Sequence, residues 1–129
     1  VSMQMFYKCI SLTHIKLPQC LKCIELQAFS NCKSLTVVEI ESNGPELQYI
    51  GHAAFEYCNN LECLNMSNST IIDLEDKTFY GCHRLSSVGI SSSLRHIRKR
   101  VFLTLGCTRS KNTHLLGAPI YNPLICRQL

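Results

Sequence analysis

The fold class predicted by this sequence is α/β: a horseshoe-type solenoid with one short parallel strand per repeat. Three observations carry the prediction. The five phenylalanines, Phe6, Phe29, Phe55, Phe79 and Phe102, recur at intervals of 23, 26, 24 and 23 residues. The first four are each followed three residues later by Cys (Cys9, Cys32, Cys58, Cys82) and three further on by Leu (Leu12, Leu35, Leu61, Leu85). Each unit then closes on two apolar residues separated by one position: Ile15 and Leu17, Val38 and Ile40, Leu64 and Met66, Val88 and Ile90. Self-similarity at a period near 23 marks units that cannot bury their apolar side alone and stack to form a continuous core.

Within a unit, Phe, Cys and Leu at three-residue spacing fit one face of a helical or 3₁₀ turn. The alternation that follows fits a short strand with one buried face. Before each later Phe stand two more apolar positions, Leu21 and Ile24, Leu47 and Ile50, Ile71 and Leu74, Leu94 and Ile97. From the first of these to the last strand residue the count never changes, so all variation in repeat length falls in the connector between units. The longest connector contains Glu41-Ser42-Asn43-Gly44-Pro45-Glu46, whose Asn-Gly-Pro is turn chemistry, which places it at the solenoid's exposed edge. After Phe102, Leu105 and Thr108 stand where Cys and Leu are due. We therefore divide the chain into a solenoid over residues 1–102 and an irregular basic tail or cap over 103–129. Charge agrees with the division. Residues 1–94 hold 6 Lys or Arg and 9 Asp or Glu, whereas residues 95–129 hold 7 basic residues and no acidic one.

Composition removes other classes. Leu, Ile, Val and Phe make up 38 of the 129 residues, well above the ~20% below which chains stay disordered. The longest stretch without a charged residue, Asn112–Cys126, includes His114 and two prolines and is shorter than the ~18 apolar residues that span a bilayer. No basic-then-apolar leader opens the sequence; it begins at Val1 rather than Met and reads as a fragment or processed piece, so missing targeting signals say little about the parent protein.

The units resemble the BspA-like, Treponema-type class of leucine-rich repeats, whose pattern is roughly I-G-x-x-A-F-x-x-C-x-x-L-x-x-I-x-I-P. Ile50-Gly51, Ala54-Phe55, Cys58, Leu61, Leu64 and Met66 match it, as do Ala28-Phe29, Cys32, Leu35 and the Leu17-Pro18 ending. The resemblance spans about residues 6–102. It implies a leucine-rich-repeat solenoid and a surface protein of bacteria or protozoan parasites, engaged in adhesion or host-protein binding. The alternative kept beside it is an intracellular scaffold or adaptor with reduced thiols.

The intervening strand positions, His14, Lys16, Val37, Glu39, Cys63, Asn65, Ser87 and Gly89, are expected to line the concave face and form the candidate partner-binding surface. They contain no clustered acid–base pair. G-x-S-x-G, P-loop, G-x-G-x-x-G and H-E-x-x-H signatures are all absent. No catalytic residue, cofactor or metal site is assigned, and the expected partner is a protein, met by a monomer or by part of a longer array.

Ladder cysteines in a parallel stack point the same way one repeat apart, which does not suit a disulfide. Cys9, Cys32, Cys58 and Cys82 are therefore read as small buried hydrophobes. Cys20-x-x-Cys23 has redox or zinc spacing, but the second pair that a structural zinc site requires is missing from the sequence. Cys107 and Cys126 could pair in an oxidising compartment. The run Arg95-His96-Ile97-Arg98-Lys99-Arg100 places its basic residues on exposed positions around core Ile97; without aromatic stacking partners it is not assigned to nucleic acid. Asn65-Met66-Ser67 and Asn68-Ser69-Thr70 fit the glycosylation pattern. Asn68, in a connector, is the better placed; Asn65 is expected on the packed sheet.

Overall fold

A computed structural model describes residues 1–40 and 47–102. The connector of residues 41–46, the tail of residues 103–129 and the proposed Cys107–Cys126 pairing lie outside the described residues. The eight strands are β1 (His14–Leu17), β2 (Cys23–Ile24), β3 (Val37–Ile40), β4 (Tyr49–Ile50), β5 (Cys63–Asn65), β6 (Asp73–Leu74), β7 (Ser87–Gly89) and β8 (His96–Ile97). The closing strands of the four units form one parallel sheet in the order β1-β3-β5-β7. Its register aligns Ile15, Val38, Leu64 and Val88 across the sheet, and from Val38 onward this inward row is buried.

Each unit also brings a second strand that the sequence pattern did not separate out. The upstream Leu-x-x-Ile positions hold β2, β4, β6 and β8, paired in parallel as β2 with β4 and β6 with β8. Two residues suffice because Ile24, Ile50 and Leu74 drop fully into the core while the neighbouring backbone bonds across to the next unit. The solenoid is therefore walled by β-structure on two sides.

No helix occurs among the described residues, so the α component of the predicted class is replaced by hydrogen-bonded turns. Bonds such as Cys9 N–H to Phe6 O (3.1 Å) and Leu12 N–H to Cys9 O (3.1 Å) are one-turn closures that never propagate. The reason is local. Two residues before each Phe stand Gln4, Gln27, Ala53, Lys77 and Arg100, all left-handed, with φ between 52° and 61°. Two residues after stand Lys8, Asn31 and Tyr57, with φ of 57–63°, and Gly81 at 75°. A left-handed residue turns its N–H away from the preceding turn, and helices stop there. Those N–H groups go to the following unit instead, Gln27 to His52 O (3.0 Å) and Asn31 to Glu56 O (2.7 Å), and the Phe29 N–H between them goes to Ala54 O (2.8 Å).

Side chains stack with the same period. The rings of Phe6, Phe29, Phe55, Phe79 and Phe102 lie parallel within 8°, with centroids 5.0–5.6 Å apart. Each ladder thiol donates to the Phe carbonyl of the unit before: Cys32 to Phe6 (3.0 Å), Cys58 to Phe29 (3.1 Å), Cys82 to Phe55 (3.1 Å). Burial follows position in the stack. Phe29, Phe55, Phe79, Cys32, Cys58 and Cys82 are buried, but Phe6, Cys9 and Phe102 are only partly so. The expectation of four equally buried ladder cysteines therefore fails at Cys9, whose unit has a neighbour on one side only among the described residues.

Candidate functional site

The outward face of the main sheet is built by the pleat. Because Ile15, Val38, Leu64 and Val88 point inward, the residues on either side of each must point outward. One outward row runs His14, Val37, Cys63, Ser87 across the four strands. A second consists of two neighbouring pairs, Lys16 with Glu39 and Asn65 with Gly89. His14, Lys16, Glu39, Cys63 and Asn65 are exposed; Val37, Ser87 and Gly89 are half-buried. All eight residues named from the sequence thus share one face.

Hydrogen bonds at its rim tie adjacent units together. Thr36 Oγ1 donates to Thr13 O (2.8 Å) and Ser86 Oγ to Glu62 O (2.9 Å), locking the turn that feeds each strand to the unit before it. His14 Nε2 stands 3.7 Å from Glu39 Oε1, and Arg84 Nη2 stands 3.2 Å from Glu62 Oε1 at the edge. Asn65 Oδ1 accepts the Ser67 N–H (3.0 Å), closing the chain over the end of β5. A Cβ at Gly89 would meet the Asn65 amide, so any larger residue there would make that side chain swing aside. Asn65, placed on this outward face by the strand pattern, is exposed; Gly89 beside it carries no side chain to cover it.

What this surface can do follows from its spacing. His14 and Cys63 lie two strands apart, roughly 10 Å at ~4.8 Å per strand, beyond the reach of a nucleophile–base hydrogen bond. His14 and Glu39 form a pair in which each side chain is about half exposed to solvent. Four strands by three or four residues offer on the order of 200 Å², against the ~800 Å² that each partner contributes to a standard interface. The described face alone suits a short peptide segment or part of a larger footprint.

The remaining candidates fall elsewhere. Cys20 is exposed in the turn after β1 and Cys23 is half-buried at the start of β2; both are free thiols. No group of three or more His, Cys, Asp or Glu stands together among the described residues. Arg95, His96, Arg98, Lys99 and Arg100 are exposed around half-buried Ile97, as their alternation with core positions required. Arg100 is held by two bonds to Asp76, 2.6 and 3.3 Å, and the Arg95 guanidinium by the Ser92 and Leu94 carbonyls. Sequence reasoning missed the tyrosine contact at the outer turns. Tyr57 and Tyr80 meet edge to face with centroids 5.5 Å apart, and Tyr57 lies over Gly81. The signal available was the glycine, which leaves room for a neighbouring ring.

Comparisons with known proteins follow the same geometry. The profile described as BspA type Leucine rich repeat region matches residues 1–115 in six copies. The solenoid is similar to the crystal structure of a T. pallidum leucine-rich repeat protein, with a TM-score of 0.70 and 27% identity over 79% of this chain. It is also similar to a leucine-rich repeat protein from Bacteroides ovatus ATCC 8483, with a TM-score of 0.65 and 27% identity over 74% of this chain. The chain spans 46% and 24% of the lengths of those two proteins. No curated protein matches it.

Proposed function

Since the chain belongs to the BspA-type leucine-rich repeat family, we propose that it is a non-catalytic recognition segment of a cell-surface or secreted adhesion protein, binding a host protein through the outward face of its main sheet. The family itself is one of protein-interaction repeats. The observation that carries the reading is the common exposure of His14, Lys16, Glu39, Cys63 and Asn65 on one face of a hydrogen-bonded sheet. Such a face lets a partner bind without ordering the scaffold first. Its small area supports a role as part of a longer array, where added strands extend the same rows.

Two experiments test the proposal. Intact cells carrying the full protein are treated with an impermeant labelling reagent; the label is expected on these repeats, and labelling only after lysis would sink the surface role. Binding of the soluble array to host cells is then compared with that of a Lys16→Glu, Glu39→Lys variant. Loss in this variant, with retention in a Lys8→Glu variant on the opposite turns, is the expected result.

A second reading, an intracellular adaptor, is favoured by the exposed thiols of Cys20 and Cys63. Unpaired surface thiols are readily consumed in oxidising compartments. Labelling of intact cells separates the two readings.

A further inference from the structure

Of the two glycosylation patterns in the chain, the fold places one in a turn and the other at a strand end. Asn68-Ser69-Thr70 lies in the connector that leads from β5 to β6. The Ser69 N–H donates to Met66 O at 3.0 Å, which closes a β-turn with Ser67 and Asn68 as its two central residues. Both central residues are exposed. This connector also holds one residue more than its counterparts. Four residues separate Met66 from Ile71, whereas three separate Leu17 from Leu21 and Ile90 from Leu94. Met66 and Ile71 are both buried in the core, so the added length is taken up in the turn between them.

The turn is anchored from below. Ser69 is buried, its Oγ donates to Met66 O (2.7 Å), and its carbonyl accepts the Ser91 hydroxyl of the following unit. The Thr70 N–H donates to Leu47 O of the preceding unit at 2.9 Å. These bonds fix the backbone around Asn68 through groups other than its side chain. A group attached to the Asn68 amide therefore leaves them intact.

Asn65-Met66-Ser67 differs. Asn65 is the last residue of β5 and is aligned with Gly89 of β7; the Met66 N–H continues that ladder to Gly89 O at 2.8 Å. Asn65 Oδ1 accepts the Ser67 N–H, and the residue stands on the outward face, where a saccharide would cover the partner's surface. Once the units close, Asn65 is fixed in a ladder, while Asn68 stays at a loop tip that an enzyme can reach.

We propose that Asn68, and not Asn65, is the acceptor of an N-linked glycan. The proposal rests on the secreted or cell-surface reading above, which takes the chain past a membrane-bound transferase and its donor, a polyprenyl-pyrophosphate-linked oligosaccharide. Asn68 Nδ2 loses a proton to a base of the transferase and bonds to C1 of the reducing-end sugar. The bond from C1 to the pyrophosphate oxygen breaks, and the polyprenyl pyrophosphate leaves with its electron pair. Thr70 is the hydroxyl residue that the acceptor pattern requires two positions on. The glycan is anchored beyond the end of β5, on a connector rather than among the outward rows.

Two samples test the assignment: the protein isolated from its own cells, and the full chain secreted behind an added leader by a eukaryotic host with intact glycosylation. Each is digested with and without peptide-N-glycosidase, which converts a glycosylated Asn to Asp, and the two positions are read by tandem mass spectrometry. The expected result is conversion at Asn68 and none at Asn65. On gels, the shift of one glycan should be lost in Asn68→Gln and in Thr70→Ala, which keeps Asn68 itself, and retained in Asn65→Gln. Secreted protein with an unmodified Asn68 overturns the proposal, as does conversion at Asn65. Impermeant labelling of the source cells separates this failure from that of the surface reading. A bare Asn68 on labelled protein refutes the glycan alone, whereas a bare Asn68 on protein labelled only after lysis refutes both.

Discussion

Cys58 shows how one small side chain serves the stack. It is fully buried, and its thiol reaches the Phe29 carbonyl, which already accepts the Cys32 N–H at 3.2 Å. Burial pushes the Cys58 thiol far above its ordinary range, Cys32 to about 11 and Cys82 to about 12. At neutral pH these groups are thiols in the folded and unfolded chain alike. Above about pH 9, the ordinary thiol value, the unfolded chain releases protons that the folded one retains, so stability falls as pH rises from 9 towards the folded values. Thermal melts from pH 8 to 10.5 should show this fall, and Cys58→Ala should make it shallower. At pH 7, native alkylation should be fast at Cys20 and Cys63, slower at Cys9 and slowest at Cys32, Cys58 and Cys82. Cys58→Ala should cost about 1 kcal/mol, because the carbonyl keeps its amide partner. Cys58→Asn should cost ~1–3 kcal/mol more for its unmatched amide. Phe55→Ala, losing a ring stacked on both faces, should cost ~3–5 kcal/mol in denaturant titrations. A melt unchanged from wild type would remove Phe55 from the core.

The left-handed turns are the next level of order, and glycine substitutions read their strain. At Gly81, φ is 75° and an added Cβ would lie 2.5 Å from Tyr57 Cδ1. Gly81→Ala therefore combines backbone strain with a side-chain contact that can yield. In a double-mutant cycle, Gly81→Ala should cost less in a Tyr57→Ala background, the remainder being the roughly 1–2 kcal/mol of a left-handed residue. Equal costs in both backgrounds would show that the ring moves freely. Gly51 differs, because an added Cβ would meet the Leu26 nitrogen at 2.7 Å and the Glu25 carbonyl carbon at 2.8 Å. Backbone of the preceding unit cannot swing aside, so Gly51→Ala should cost about 1–3 kcal/mol or more and shift the β2–β4 pairing. Ser69 and Ser91 illustrate the opposite case, polar residues buried between turns without penalty. Ser69 Oγ donates to Met66 O (2.7 Å), and Ser91 Oγ donates to Ser69 O while accepting the Ser93 N–H (3.1 Å).

Across the molecule, each unit touches its neighbours and little else, so stability propagates unit by unit. The middle units have partners on both sides; the first has exposed Met3, Met5 and Ile10 instead. Native-state hydrogen exchange should find the Phe29 and Phe55 amides, bonded to Ala54 and Thr78, better protected than the Phe6 amide bonded to Ala28. Uniform protection from Phe6 to Phe79 would mean that the stack opens as one cooperative block. Charge couples the last two units, where the Asp76–Arg100 pair bridges an acidic turn to a basic one. The same polarity leaves both ends of the described stack basic, with Lys8, Lys16 and Lys22 at one and Arg95, Arg98, Lys99 and Arg100 at the other.

The stacking period, the inward rows and the eight outward positions were legible in the chain because a strand alternates its faces and a repeat copies its contacts. Phe, Cys and Leu needed only to be counted. The turns were not legible: F-x-x-C-x-x-L has helical spacing, and left-handed Gln4, Gln27 or Ala53 looks like any other residue until its N–H is seen bonded to the next unit. That choice is made by the neighbour, whose carbonyls offer better partners than the preceding turn of the same unit. For the same reason β2, β4, β6 and β8 emerged only from packing. A two-residue strand exists where another unit supplies its ladder.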